Sequence, residues 1–277
     1  MKYLNLFVFS NLFIACAAGL MMMQSCMIFN LPATNLSWLT FFGTLFLYNF
    51  HRLYRFRKSR LVNASRYQWV INHRPLLVIL CVLSIVGAFF FAQQLRLQSF
   101  IYLLVLCVVA LGYVIEFIGK KPQRKALRDL PGLKIFLVAF VWAAFMVGLP
   151  CVQFEVIPEN ALLLLTEKCL FIFAITVPFD IRDQHFDKAQ QKTLPQLFGT
   201  KGAVFIGQLA VVAALSIAFL LFKDHTYNLP YFISQVIAYS FAAWLIFLSK
   251  KTRNELFYSF LVDGTIILSA LGAFLLS

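Results

Sequence analysis

Charge is what this sequence has least of: Asp, Glu, Lys and Arg make up 13% of it, and the acids are the rarer kind, 11 against 24 basic residues. With 61% hydrophobic residues and a mean hydropathy of +0.82, that scarcity excludes an ordinary water-soluble domain. Cysteine is sparse too. Residues 16, 26, 81, 107, 151 and 169 lie in or beside apolar runs without paired spacing, which excludes a disulfide framework or zinc site and leaves them as small packing residues. Low-complexity linkers are missing, and the longest polar stretch runs only from His51 to Arg74. The first apolar run follows Lys2 but outlasts a signal-peptide core and lacks a small-residue cleavage site, so it is expected to remain as a span.

Apolar length is what the chain does have. A bilayer core takes roughly 20 apolar residues per helix, and nine segments reach that length, at about 4–29, 32–50, 75–93, 97–118, 130–150, 161–179, 202–222, 230–249 and 256–276. Backbone groups in lipid must be satisfied internally, and these runs are too long and too continuous for barrel strands. The expected fold is an all-α integral membrane protein, a nine-helix bundle forming one domain over 1–277. Basic residues test that layout, because Lys and Arg collect in short cytoplasmic loops. With the N-terminus inside, the even loops hold nearly all of them, from Arg52 to Arg74, Lys120 to Arg128, Arg182 to Lys201 and Lys250 to Arg253, while the odd loops hold only Arg96 and Lys223. The formal charge of +13 is thereby a topology signal with membrane lipids as its surroundings, and it gives no argument for nucleic acid.

Chemistry concentrates where the sixth span ends, in Asp180-Ile-Arg182-Asp183-Gln-His-Phe-Asp187-Lys-Ala-Gln-Gln-Lys192-Thr193-Leu194-Pro195-Gln-Leu-Phe-Gly199. Spacings of three and four residues put Asp180, Asp183 and Asp187 on one face of a continuing helix. Clustered carboxylates call for a cation, and Mg²⁺ takes one or two carboxylates together with waters and substrate phosphates. The bland alternative is a solvated helix end with Arg182 and Lys188 as surface partners. Against it, Asp180 follows an apolar run at span depth, where ionisable groups are costly and usually functional.

This block resembles the second aspartate-rich motif of the UbiA prenyltransferase superfamily, Asp-x-Arg-Asp-x-x-x-Asp followed by a Lys/Arg-Thr-Leu-Pro turn and a Gly. Asp180, Arg182, Asp183, Asp187, Thr193, Leu194, Pro195 and Gly199 match it. Weaker similarity covers Tyr113 through Trp142, including the Leu-Pro-Gly-Leu-Lys134 entry to the fifth span, and Arg74-Pro75. The resemblance implies a UbiA-like bundle, a prenyl diphosphate as substrate, transfer to a lipid-soluble acceptor, and Asp180, Asp183 and Asp187 as catalytic and metal-binding residues. The family's first motif, Asn-Asp-x-x-Asp-x-x-x-Asp, departs here. Asn49 is kept, but Phe50, Leu53 and Arg57 stand where acids belong. One Mg²⁺ at the second motif is therefore expected, and a second ion lacks its carboxylates.

Guanidinium forks match phosphate oxygens, so Arg52 and Arg55, three residues apart beside Asn49 and His51, are candidates for a cationic clamp. They also suit lipid headgroups. Lys134, Tyr113, Arg182 and Lys192 complete the expected substrate-binding set. Asp263 lies within the ninth span, where a buried acid suggests a functional or structural partner, and Glu167 and Lys168 sit toward the middle of the sixth, where a mutual or cross-helix pair is the simple reading. The leading expectation is a transferase in a bacterial inner membrane, with N-terminus and motif loops cytoplasmic. A UbiA-like binding or regulatory protein without turnover is the alternative, and a transporter would need broken or inverted helices that the sequence does not display.

Overall fold

The computed structural model describes residues 2–56, 64–118, 125–184, 187, 189–251 and 253–275, and among them it is helical almost throughout. The elements are α1 (Lys2–Phe9), α2 (Leu12–Ile28), α3 (Thr34–Phe56), α4 (Ala64–Asn72), α5 (Arg74–Ala92) and α6 (Leu97–Val114). They continue with α7 (Leu133–Ala143), which runs through a π turn at Ala144–Gly148 into α8 (Leu149–Phe154), then α9 (Ala161–Asp183), α10 (Leu194–Lys223) and α11 (Leu229–Leu248). A second π turn, Phe257–Val262, leads into α12 (Asp263–Leu271).

Seven of the described helices are long and apolar enough to cross a membrane, and α1 with α2 make an eighth candidate bent by 61°. The chain is an integral, multi-pass membrane protein. The expected second span does form a helix, α3, but it does not pass the same hydropathy test. Its sequence explains why: Asn35, Ser37, Thr40, Thr44, Asn49, His51 and Arg52 interrupt the apolar run. It is wedged between α2 and α5, where polar groups find protein partners instead of lipid.

Several helix starts follow from proline, whose missing N–H is no loss in the first turn: Pro75, Pro195 and Pro230 all stand there. The break between α1 and α2 is held from α3. Asn11 adopts a left-handed conformation (φ 66°), and its side-chain amide donates to Asn49 Oδ1 at 2.8 Å, while Asn49 Nδ2 donates to the Ser10 carbonyl at 3.0 Å. The Arg52 guanidinium donates to Asn11 Oδ1 at 2.8 Å and to the Phe9 carbonyl. These bonds satisfy the carbonyls that a broken helix leaves orphaned.

The core is built at close approach. A pack of Ala17, Ala18, Met21 and Met22 from α2 meets Ala139 of α7, Ala174 of α9 and Ala210 and Ala214 of α10. The six cysteines are all free. Faces of α5 and α6 leave Val82, Phe89, Phe100 and Val108 outward, the lipid-facing surface of such a bundle.

Asn49→Ala is expected to leave the Asn11 amide and the Ser10 carbonyl without partners in an apolar setting, costing about 1–3 kcal/mol. A melting temperature in detergent lowered by several degrees checks it.

Candidate functional site

The acidic face read from the sequence exists, and its cation is built in. Pro178 removes one intrahelical bond in the last turns of α9, and Asp180 and Asp183 follow. The helix ends at Asp183, and the Asp187 amide donates to the Asp183 carbonyl at 2.9 Å. Into this acidic crook points Lys134, the second residue of α7. Its ammonium lies 2.9 Å from Asp180 Oδ1, 2.6 Å from Asp187 Oδ2 and 4.0 Å from Asp183 Oδ2. Lys134 and Asp180 are buried.

Two arginines share the remaining charge. Arg182 pairs with Asp183 at 2.8 Å and with Glu255 at 3.3 Å, and its guanidinium lies over the rings of Phe179 and Tyr258. Arg128 approaches Asp187 at 3.8 Å and covers the Tyr113 ring. The loops that present these groups are clasped together. Gln191 donates to Asp129 Oδ1 at 2.7 Å, and the Gly132 amide donates to the Gln191 carbonyl at 2.8 Å, while Gly132 takes the left-handed φ of 69° that starts α7. Lys134 is thereby aimed by the very segment that follows the acids. After the clasp, Thr193 N donates to Gln196 Oε1 and Gly199, at φ 68°, breaks the first turn of α10 from its long span.

Above the cluster opens a cavity of about 270 Å³. One end is charged, with Arg128, Lys134, Asp180, Arg182 and Asp183, beside which His51 and Tyr113 meet edge to face at a ring separation of 6.4 Å. The rest is mostly apolar, lined by residues such as Leu47, Val109, Leu137, Val141, Ile172 and Ile175, with Tyr48, Thr176 and Asp263 among them. A charged head and a greasy tail would each meet matching walls.

The comparisons agree with this shape. No family model matches the sequence and no curated protein matches it, but solved structures do. A UbiA homologue from Aeropyrum pernix K1 in its apo form aligns at a TM-score of 0.64 over 95% of this chain and 94% of its own, with 13% identity. The chain has the UbiA fold. A UbiA homologue from Archaeoglobus fulgidus bound to GPP and Mg²⁺ aligns at 0.60 over 100% and 99% with 12% identity, and a digeranylgeranylglyceryl phosphate synthase at 0.58 over 100% and 99% with 14% identity.

On that UbiA scaffold the expected residues sort unevenly. Asp180, Asp183, Lys134, Tyr113, His51 and Arg182 line the cavity, and Asp187 joins through Lys134. Lys192 is exposed, with a positive φ of 46° in the turn before α10. Asn49 and Arg52 do not line the cavity, being bound to the break between α1 and α2. The clamp imagined for Arg52 and Arg55 therefore meets a different geometry for Arg52, and the Arg55 side chain lies outside the described residues, as does Arg57. At the degenerate first motif, Phe50 stacks between Phe46 and Tyr54.

Sequence reasoning gave Arg128 only a topological role and passed over Tyr48, both of which line the cavity. Their signals were position alone: Arg128 precedes the Leu-Pro-Gly-Leu-Lys134 turn, and Tyr48 precedes Asn49. Glu167 and Lys168 belong elsewhere. They pair at 3.1 Å, fully buried, and Glu167 accepts from Tyr227 at 3.1 Å and from Tyr239 at 2.5 Å.

Whether the acids suit Mg²⁺ turns on donor type and charge. Three carboxylates surround the Lys134 ammonium; among the described residues no three such side chains are grouped so as to hold a metal ion by themselves, and an ion would take one or two of them together with waters and substrate phosphates. Lys134, Arg128 and Arg182 face four carboxylates, those of Asp180, Asp183, Asp187 and Glu255, so the cluster has no positive surplus to meet a multiply charged diphosphate, and a divalent cation entering with that group fits the site. Removing the built-in cation makes the fit measurable. Lys134→Met leaves buried acids uncompensated, a loss of about 3–5 kcal/mol; its melting temperature is expected to fall sharply and to recover with millimolar Mg²⁺ more than the wild type gains. Equal gains in both proteins would show that the acids do not receive the ion.

Proposed function

We propose that this chain is an intramembrane prenyltransferase of the UbiA type, taking a prenyl group from a prenyl diphosphate and passing it to a lipid-soluble acceptor. The observation that carries the reading is the cavity: one end holds the second-motif acids with Lys134, Arg128 and Arg182, and most of the remaining wall is apolar. The UbiA homologue bound to GPP and Mg²⁺ supports the substrate class, and the digeranylgeranylglyceryl phosphate synthase supports transfer within a membrane.

In this reading Arg128, Lys134 and Arg182 bind the diphosphate from its charged surroundings, with His51 and Tyr113 at the rim of the same end. Apolar walls hold the chain and exclude water from the allylic carbon. Asp180, Asp183 and Asp187 are the residues that would hold Mg²⁺, which would supply neutralisation of the leaving diphosphate. The carbon–oxygen bond to diphosphate breaks with its electron pair on the leaving group, and the fixed cations stabilise that charge without reorganising. Arg182 is held to Asp183, Glu255 and two rings, so its position is set before substrate arrives.

A second reading has its own observation. Phe50 and Leu53 in place of first-motif acids favour a protein that binds a lipid diphosphate without turning it over.

Binding of labelled GPP to detergent-purified protein tests what both readings share. Wild type is expected to bind in the presence of Mg²⁺, and Asp183→Ala to weaken binding by about tenfold or more, equivalent to about 1.4 kcal/mol. Arg52→Ala is expected to lower thermal stability with little effect on affinity. Absence of binding for GPP and for its longer homologues, with the protein folded, overturns both readings.

A further inference from the structure

The cavity is short, and its far end coincides with a change in the backbone. Along α7 the lining runs from Lys134 through Leu137, Val138 and Val141 to Trp142, and along α9 it runs from Asp180 back to Ile172. Trp142 stands eight residues past Lys134 and Ile172 eight before Asp180, so each helix carries the wall roughly 12 Å from the charged end. The volume of about 270 Å³ falls below the roughly 300–1,000 Å³ usual for ligand pockets.

What lies beyond that depth is closed. The π turn Ala144–Gly148 begins two residues after Trp142, and the extra residue in such a turn re-aims the side chains that follow. Phe145 is next in the three-and-four spacing of the same face, yet it does not line the cavity. From α6, the Tyr102 hydroxyl donates to the Ala144 carbonyl at 2.9 Å and fills the space that a side chain at Gly148 would need. That contact ties α6 to the π turn just past the indole. On α9 the next position of the cavity face is Lys168, one turn beyond Ile172 and fully buried against Glu167 at 3.1 Å. A hydrocarbon chain pushing past Ile172 has to disturb this pair, and breaking a buried pair is costly.

We propose that Trp142, backed by the contact of Tyr102 with the π turn, is the floor of the prenyl site and sets the chain length the protein accepts. The inference rests on the prenyl diphosphate reading above and narrows its substrate class to short chains. Extended chain advances roughly 1.2 Å per bond, so an isoprene unit of about four bonds spans roughly 5 Å. About two units fit between the charged end and the indole. A third runs into it.

Equilibrium dialysis of labelled dimethylallyl, geranyl and farnesyl diphosphates with Mg²⁺ reads the floor directly, using full-length protein and variants in one detergent so that partition into micelles cancels between them. Wild type is expected to favour the geranyl compound. Trp142→Ala is expected to raise the ratio of farnesyl to geranyl affinity by about tenfold or more, because the freed space takes a further unit out of water. Val138→Trp, one turn nearer the charged end, is expected to shift the floor the other way, weakening geranyl binding by about tenfold while dimethylallyl binding stays within about twofold. Ratios unchanged in whichever variant remains folded overturn the floor while leaving the prenyl diphosphate reading in place. Binding of none of the three compounds by folded wild type overturns that reading, and the floor with it.

Discussion

Three aspartates cannot be gathered at the end of an apolar bundle unless cations come with them, and in this chain the first of those cations is Lys134. Its ammonium sits between Asp180 and Asp187 with Asp183 at the edge, and Arg128 and Arg182 complete the balance. Each partner arrives on a separate element: α7 brings the lysine, the preceding turn brings Arg128, and α9 with its extension brings the acids. Pairing them fixes how α7 sits against α9, and the Gln191 clasp onto Asp129 and Gly132 locks the loops in the same register. Removal of any one charge leaves another buried without compensation, and breaking such a pair is far costlier than never having built it. The cavity inherits its polarity from this arrangement: charge at one end by necessity, and apolar helix faces elsewhere because the bundle is embedded in lipid.

That asymmetry is also what makes the cavity chemically useful. In the proposed reaction, fixed cations beside buried acids would form a preorganised seat for an anionic leaving group, and apolar walls would keep water from a reactive carbon. The Glu167–Lys168 pair, fully buried and tied to Tyr227 and Tyr239, belongs to the packing of α9 against α11 and stands apart from this cavity.

Much of this was legible in the sequence because membrane physics writes in long runs. Apolar segments near bilayer length became helices, while Asp180, Asp183 and Asp187, expected on one face of a continuing helix, meet around Lys134 although α9 ends at Asp183. Two features were not legible. The polar residues of α3 read as motif remnants, whereas Asn49 and Arg52 stitch the break between α1 and α2, a job visible only once Asn11 is seen in its left-handed turn. The partner of the acids was equally hidden. Lys134 lies dozens of residues upstream, and sequence spacing carries no information about contacts between α7 and α9. Arg128 and Tyr48 were lost for the same reason, since loop charge and span aromatics are common enough to conceal the members that face a cavity.

The most direct test of the central claim is Mg²⁺-dependent release of diphosphate from GPP, and from its C15 and C20 homologues, by purified wild type and Asp180→Asn supplied with a lipid extract as acceptor source. The account predicts release by the wild type, accompanied by a prenylated lipid product, and a loss of about a hundredfold or more in Asp180→Asn. Tight Mg²⁺-dependent binding with no release at any chain length, from protein that remains folded, would contradict the transferase account and leave a UbiA scaffold that holds a lipid diphosphate without cleaving it.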